Sequence, residues 1–199
     1  MATAVKIGPD DHDRSMSLEE FEGGDYDEGF RYELIDGRLY VSPQPDLPEN
    51  QVEEWINDKL KQYARRRPEV VNFVSSKARV FVPGRETTTP EPDQAAYHDF
   101  PLHLPKRQVR WQDVSPLLVV EILHRDDPDK DLVRNVALYF QVPSIKEYWV
   151  IDARDDADRP SLRVHQRYGR RWRVIDRAFG EAYTTRLLPG FTLTVDPHR

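Results

Sequence analysis

Two carboxylates stand in segments of the sequence that are otherwise apolar or rich in proline. Residues 117–123 are aliphatic at every position except Glu121, a pattern that predicts a strand buried on both faces. A buried carboxylate without a partner is costly, so Glu121 must be protonated, paired with a cation or bound to a metal. Asp93 ends the segment Thr89-Pro-Glu-Pro-Asp, where another strand is predicted to start.

These two acids predict a site for a hard cation, because oxygen ligands at neighbouring strand ends suit Mg²⁺ or Mn²⁺. The alternative is that Asp93 caps a turn and Glu121 pairs with an arginine. The sequence contains no cysteine, which excludes disulfides, thiolate nucleophiles, zinc-thiolate sites and iron-sulfur clusters. Any metal must therefore be held by oxygen or imidazole. His124, just beyond the strand, could be a ligand or a base, or an ordinary loop residue.

The length and composition favour one domain with an appendage. The chain has 199 residues, of which 38% are hydrophobic and 32% charged. Its longest aliphatic stretch, residues 117–120, is far short of the roughly 20 apolar residues that a membrane helix needs, so we expect no membrane span. No apolar segment typical of a secretory signal follows Met1, and we expect a cytoplasmic protein.

Negative charge is concentrated near the N-terminus. The formal net charge is −6, and residues 1–30 carry nine acids against two bases, which leaves the rest of the chain slightly basic. We predict an acidic arm over residues 1–29, with a short helix whose capping box starts at Ser17. A single domain is predicted over residues 30–199.

Basic residues cluster in the body of the chain, above all between residues 163 and 177. This stretch could bind nucleic acid, with Arg170 and Arg171 on phosphates and Trp172 stacked on bases. The simpler interpretation is a solvated face that keeps the protein in solution.

Hydrophobic periodicity predicts an α/β fold in which a mixed sheet is flanked by helices. Asp36-Gly37 joins two short apolar runs and indicates an N-terminal β-hairpin, and a C-terminal β-hairpin is expected to turn at Gly169. Helices are predicted over residues 49–66 and 131–141, strands over 70–74, 78–82, 91–97, 117–123, 147–151 and around Leu187 and Thr192, and a long loop over 100–116.

The ordered motifs resemble those of the Uma-two family, a bacterial branch of the PD-(D/E)XK nuclease superfamily with a restriction-endonuclease-like fold. The resemblance runs from residue 32 to residue 152. Its motifs are Tyr32-Glu-Leu-Ile-Asp-Gly, Pro92-Asp93, Glu121-Ile-Leu, the helix segment 131–135 and Glu147-Tyr-Trp-Val-Ile-Asp.

This resemblance implies a metal-dependent endonuclease that acts on DNA, with Asp93, Glu121 and the carbonyl of Ile122 binding Mg²⁺ or Mn²⁺. The metal would activate a water for attack on a phosphodiester bond. Glu33 of the family hairpin could also reach the metal, or could be an ordinary exposed strand residue. Many nucleases of the superfamily act as dimers, so the resemblance also suggests a homodimer.

The amine that the resemblance places near the metal-bound water is missing from its two expected positions. The wider superfamily has a lysine two residues after the glutamate, where this chain has Leu123, and the Uma-two family supplies it from the helix, where this chain has Asn135. An amide can donate a hydrogen bond but carries no positive charge. Lys130 or Arg134 could substitute, and Lys130 is the better candidate because a lysine can lose a proton.

Two functions therefore follow from the sequence. The first is a metal-dependent DNA endonuclease, weakened by Asn135. The alternative is a catalytically degenerate module that keeps the nuclease fold and binds nucleic acid or a protein partner.

Overall fold

The N-terminal part of the chain is built from short strands and one short helix. In the computed structural model, which describes residues 5–123 and 127–199, β1 (Lys6–Ile7) pairs with β2 (Asp25–Tyr26), and α1 (Leu18–Glu22) lies between them in the sequence. Strands β3 (Phe30–Ile35) and β4 (Arg38–Pro43) form an antiparallel hairpin. Its turn residues Asp36 and Gly37 have φ values of 50° and 75°, the left-handed conformation that the predicted Asp-Gly turn needs.

The hairpin and the acidic segment before it share one apolar cluster. Its buried members are Ile7, Met16, Phe21, Tyr32, Leu34 and Leu39. Helix α1 begins with the predicted capping box, in which the side chains of Ser17 and Glu20 each accept a hydrogen bond from the other's backbone N–H. Residues 5–29 are therefore packed against the hairpin, and the domain boundary at residue 30 stays a prediction.

A six-stranded mixed sheet forms the body of the molecule. Its strands are β5 (Phe73–Ser75), β6 (Gln94–Tyr97), β7 (Leu118–Ile122), β8 (Glu147–Asp152), β9 (Ser161–Tyr168) and β10 (Arg171–Arg177). The strand order is β10-β9-β8-β7-β6-β5, and of these neighbours only β7 and β8 run parallel. A short antiparallel pair, β11 (Ala182–Thr184) and β12 (Thr192–Thr194), follows the sheet in the sequence.

Helices cover both faces of this sheet. They are α2 (Leu47–Arg66), a π-helical turn (Lys130–Arg134) and α3 (Asn135–Phe140), which continues that turn. Val52 of α2 shares a buried cluster with Val120 of β7, whereas Leu138 of α3 shares another with Val119. Successive residues of β7 thus face opposite helices, as the side-chain alternation of a strand requires.

A buried acid at the start of β8 ties the C-terminal strand pair to the sheet. Glu147 is 1% exposed, and its carboxylate accepts hydrogen bonds from Trp149 Nε1 at 2.8 Å, Gln166 Nε2 at 2.9 Å and Tyr183 OH at 3.1 Å. These neutral donors satisfy its oxygens without a cation. Glu147, the first residue of the Glu-Tyr-Trp motif, is therefore structural.

The predicted α/β architecture is confirmed, with a mixed sheet, flanking helices and a hairpin towards each end of the chain. Two strand predictions are wrong. Residues 78–82 lie outside the strands, because the N–H groups of Val80 and Val82 donate to the nearby loop carbonyls of Pro90 and Thr88 instead of to a strand. The strand expected around Leu187 lies earlier, at β11.

Other elements have shifted ends. Helix α2 starts at Leu47 because Asp46 caps it, with Asp46 Oδ1 accepting a hydrogen bond from the Glu49 N–H at 2.9 Å. The predicted loop over residues 100–116 contains only two short 3₁₀ turns. Within residues 5–123 and 127–199, no helix has the length and apolar character to cross a membrane.

Candidate active site

Strands β6 and β7 bring Asp93 and Glu121 side by side. Gln94 pairs with Val120 across these antiparallel strands. Asp93 precedes Gln94 and Glu121 follows Val120, so these two acids face each other at the end of β6 where the strand begins. The Asp93 N–H donates to Glu121 Oε2 at 3.2 Å, and the Ile122 N–H donates to Asp93 Oδ2 at 2.6 Å. Both acids are almost completely buried. The contact that the structure shows at Ile122 is thus made by its N–H, whereas the resemblance implied a role for its carbonyl.

The helical segment after β7 holds the carboxylate of Glu121 in place. Glu121 Oε1 accepts hydrogen bonds from Asn135 Nδ2 at 3.0 Å and from Tyr139 OH at 2.7 Å. Asn135 Nδ2 also donates to Asp131 Oδ1 at 2.8 Å. Asp131, Asn135 and Tyr139 recur every four residues and therefore lie along one side of the helical segment. Asn135 is fully buried, and its amide lies between two carboxylates.

Glu33 belongs to the same site. This residue of β3 is 4% exposed, so the interpretation as an ordinary exposed strand residue is wrong. Its Oε2 lies 2.8 Å from Arg134 Nη2 and 3.3 Å from Lys130 Nζ, and its Oε1 accepts a hydrogen bond from the Glu91 N–H at 3.0 Å. Although burial opposes ionisation, Lys130 and Arg134 hold the pKa of Glu33 at about 2.

Arg31, two residues earlier on β3, was not predicted from the sequence. Its guanidinium bonds Asp93 Oδ1 through Nη1 and Glu53 Oε1, at 2.6 Å, through Nη2. An arginine therefore pairs with Asp93, whereas the bonds to Glu121 described above come from neutral donors. The alternative prediction of a turn cap at Asp93 and an arginine on Glu121 is not what the structure shows. Glu53 had one signal in the sequence, since it interrupts the apolar face of α2.

The site holds more carboxylates than cations. If all are ionised, the described groups carry a net charge of −2, from the five acids Glu33, Glu53, Asp93, Glu121 and Asp131 and the three bases Arg31, Lys130 and Arg134. Burial, reinforced by neighbouring carboxylates, raises the pKa of Glu121 well above its usual range and raises those of Glu53 and Asp131 to about 7. A divalent cation would offset this excess charge.

The donor set fits such a cation. The two adjoining carboxylates of Asp93 and Glu121 offer the oxygen ligands that Mg²⁺ and Mn²⁺ prefer. Within the described residues, no group of three or more His, Asp or Glu side chains is arranged to hold a metal unaided. Mg²⁺ commonly binds through one or two carboxylates, with water and substrate oxygens completing its octahedron.

Of the residues predicted to bind nucleic acid in the C-terminal hairpin, some are exposed and one packs against a helix. Arg170 and Arg171 are exposed at its turn, but Trp172 is half-buried and donates from Nε1 to the Val136 carbonyl at 3.0 Å. The Trp172 ring also packs edge-to-face against Phe140. Its indole therefore anchors the hairpin to α3, and the proposed stacking on bases would need a free ring face. His124 lies outside the described residues.

Comparisons with known proteins agree with this architecture. The sequence matches the model of the Uma-two family, described as "Putative restriction endonuclease", over residues 18–196. Restriction-endonuclease-like families generally use divalent metals. No curated protein matches the chain. Among solved structures, the chain is similar to "a putative nuclease belonging to DUF820" from Anabaena variabilis, with a TM-score of 0.65 and 14% identity over 90% of this chain and 95% of the other. At this identity the likeness shows the fold.

Proposed function

The chain belongs to the Uma-two family of restriction-endonuclease-like proteins, and from this membership we propose that it is a metal-dependent endonuclease that hydrolyses phosphodiester bonds in DNA. One observation carries the proposal: the buried carboxylates of Asp93 and Glu121 adjoin at the ends of two central strands, within the same charged cluster as Lys130. This is the arrangement that the family motifs lead one to expect.

Asp93 and Glu121 are the residues that would hold Mg²⁺ or Mn²⁺, with the Ile122 carbonyl added by the family resemblance. When bound, the metal supplies a water of lowered pKa and neutralises negative charge on the phosphate oxygens. Tyr139 and Asn135 keep the Glu121 carboxylate in a fixed orientation through their hydrogen bonds to Oε1. A fixed ligand loses little freedom when a cation binds, which favours binding.

Lys130 acts as a cation in this arrangement. Although burial opposes it, Glu33 and Glu121 raise the pKa of the Lys130 ammonium above its usual range. Lys130 therefore remains protonated near neutral pH and can stabilise negative charge on a phosphate. From the sequence, Lys130 or Arg134 was expected to deliver a cation, with Lys130 preferred because a lysine can lose a proton; in this arrangement the role of Lys130 is that of the cation.

Cleavage of supercoiled plasmid DNA tests the proposed activity. We expect Mn²⁺-dependent nicking that stops when a chelator is added and that is lost in Asp93→Ala. Asp99→Ala is a matched control because the Asp99 side chain is 90% exposed. Absence of cleavage by the wild-type protein at any Mn²⁺ concentration would contradict an endonuclease.

Calorimetry gives a separate prediction for the metal site. Wild-type protein should bind Mn²⁺, and Asp93→Ala should bind it at least about 10-fold more weakly, because loss of one charged ligand costs more than 1.4 kcal/mol. Asp99→Ala should bind Mn²⁺ like the wild type. Equal binding by the wild type and Asp93→Ala, or no binding by either, would exclude the proposed site.

The exposed arginines of the C-terminal hairpin give a prediction for DNA binding. Arg170→Glu combined with Arg171→Glu should weaken DNA binding in a filter assay, most strongly at low salt, because phosphate contacts release counterions. The double substitution Arg65→Glu with Arg66→Glu, at the exposed end of α2, makes the same charge change elsewhere. Unchanged affinity in the hairpin variant would remove this segment from the binding surface.

A second function has its own support. The fully buried Asn135 amide lies between Glu121 and Asp131, at the position where the family supplies an amine. A chain without that amine can keep the fold and bind nucleic acid or a protein partner without cleaving a substrate. DNA binding without Mn²⁺-dependent cleavage is the result that would favour this degenerate module.

A further inference from the structure

A cavity of about 280 Å³ opens next to the segment that contains Asp93. It lies between the N-terminal hairpin and the segment that leads to β6, and Pro92 in its wall directly precedes Asp93. Three basic side chains and two partly exposed aromatic rings line it, contributed by Arg31, Lys77, Arg79, Tyr26 and Phe30. This volume is near the lower limit of small-ligand sites.

Basic side chains outnumber acidic ones among the described residues that line this cavity. Glu91 is the one acid among the lining residues, and it pairs with Arg79, whose Nε lies 2.6 Å from Glu91 Oε1. Lys77 is exposed and forms no ion pair with any residue that the structure describes. Arg31 is bonded to the carboxylates of Asp93 and Glu53, which lie outside the lining, so Lys77 contributes the positive charge that no described carboxylate offsets. An exposed ammonium beside a partly exposed guanidinium attracts an anion.

Arg31 connects the cavity to the candidate active site. Its side chain is 21% exposed and lines the cavity, while its guanidinium bonds Asp93 and Glu53. A guanidinium has five N–H donors and binds phosphate as well as carboxylate. An anion in the cavity would therefore contact the Arg31 guanidinium, which also donates to Asp93 Oδ1.

We propose that this cavity binds a backbone phosphate of the nucleic-acid strand next to the cleaved bond, and that Arg31 exchanges Asp93 for that phosphate. The proposal rests on the proposed function and names the place where the strand lies. When Arg31 moves to the phosphate, one positive charge leaves the Asp93 carboxylate, which favours a cation at that carboxylate. Strand and cation then strengthen each other's binding, and thermodynamic linkage makes the effect reciprocal.

Binding of a short fluorescein-labelled single-stranded oligodeoxynucleotide, followed by anisotropy in the presence of a chelator, tests the cavity without metal. Lys77→Gln should weaken binding roughly 10-fold, the size of one lost hydrogen bond to a charged group, and should reduce the salt dependence by about one phosphate contact. Lys106→Gln removes the same charge from an exposed lysine outside this cavity and should bind like the wild type. No loss in Lys77→Gln, or equal losses in both variants, would overturn the proposal.

The exchange at Arg31 is tested by Mn²⁺ calorimetry with and without a cleavage-resistant phosphorothioate oligonucleotide. The oligonucleotide should raise Mn²⁺ affinity several-fold in the wild type and leave it unchanged in Arg31→Gln. A rise of the same size in Arg31→Gln would overturn the exchange. Because Lys77 is exposed, Lys77→Gln should fold normally and gives a second test. In this variant the oligonucleotide should raise Mn²⁺ affinity less than it does in the wild type.

These outcomes separate the two proposals. If plasmid cleavage occurs but Lys77→Gln binds DNA normally, the cavity proposal fails while the endonuclease stands. If Lys77 is needed for binding but Mn²⁺ supports no cleavage, the endonuclease fails while the cavity remains a nucleic-acid site.

Discussion

Replacement of Asn135 by lysine should raise Mn²⁺-dependent DNA cleavage by about 10²- to 10⁴-fold, the usual contribution of a positioned acid or base. Asn135 is fully buried, and its amide donates to both Glu121 and Asp131. A lysine at this position would extend an ammonium towards these two carboxylates, one of which is the proposed metal ligand Glu121. Plasmid nicking rates at saturating Mn²⁺ give the measurement.

Gln141→Lys is the control for this gain, because it adds the same charge at an exposed position just after α3. Removal of Lys130 should abolish residual cleavage in the wild type but have little effect in the Asn135→Lys background. Unchanged cleavage by an Asn135→Lys protein that still binds Mn²⁺ and DNA would show that the missing amine is not the defect. The degenerate module would then be the better description.

Glu33→Gln should lower the free energy of unfolding by about 3 kcal/mol at neutral pH, because it leaves Lys130 and Arg134 without their buried carboxylate. The lowered pKa of Glu33, about 2 instead of 4.5, corresponds to a stabilisation of that order. This stabilisation is complete above pH 4.5 and is lost as the pH falls towards 2, because the unfolded chain binds the proton first.

Urea unfolding at neutral pH and at about pH 3 tests both the size of the Glu33 contribution to the free energy of unfolding and the direction in which it changes with pH. The difference between wild type and Glu33→Gln should be large at neutral pH and smaller in acid. Glu28→Gln, an exposed change in the same part of the chain, should have no measurable effect. A deficit in Glu33→Gln that stays constant with pH would mean that packing, and not the ion pairs, accounts for it.

Periodicity alone predicts the parts of the site where one polar residue breaks or borders an apolar pattern, whereas Glu33 and Lys130 were suggested by the family resemblance. Glu121 stands alone in an aliphatic strand, and Asn135 borders the apolar stripe of its helix, so a position next to the sheet follows from periodicity. Arg31 and Asp131 gave no such signal, because a charged residue near a strand end or helix start is ordinary on a surface. Their burial depends on contacts with distant segments.

The errors in secondary structure have a related cause. Residues 78–82 are apolar at four of five positions, as a strand often is, and Ala78, Val80 and Val82 are indeed buried. A strand also needs a neighbour with free N–H and C=O groups, and a sequence pattern does not specify that neighbour. The contacts of Trp172 with Val136 and Phe140 likewise could not be predicted from the sequence, because they depend on how the hairpin packs on α3.

The separate apolar cluster of the N-terminal segment affects how the site can be reached. Strands β3 and β4 form a sheet of their own. Among the described residues, backbone contacts link the hairpin to residues 87–89 through the Leu34–Thr89 bridge and the Gly37 N–H, which donates to the Thr87 carbonyl at 3.0 Å. Ion pairs also join the hairpin to the rest of the site. Arg31 pairs with Asp93, and Glu33 pairs with Lys130 and Arg134. Segments with their own apolar cluster can open locally without global unfolding. Although Ile35 packs in the apolar cluster of the six-stranded sheet, we therefore expect the hairpin to open before that sheet does and to admit solvent to the buried acids, so that amide protons of β3 and β4 exchange before those of the sheet.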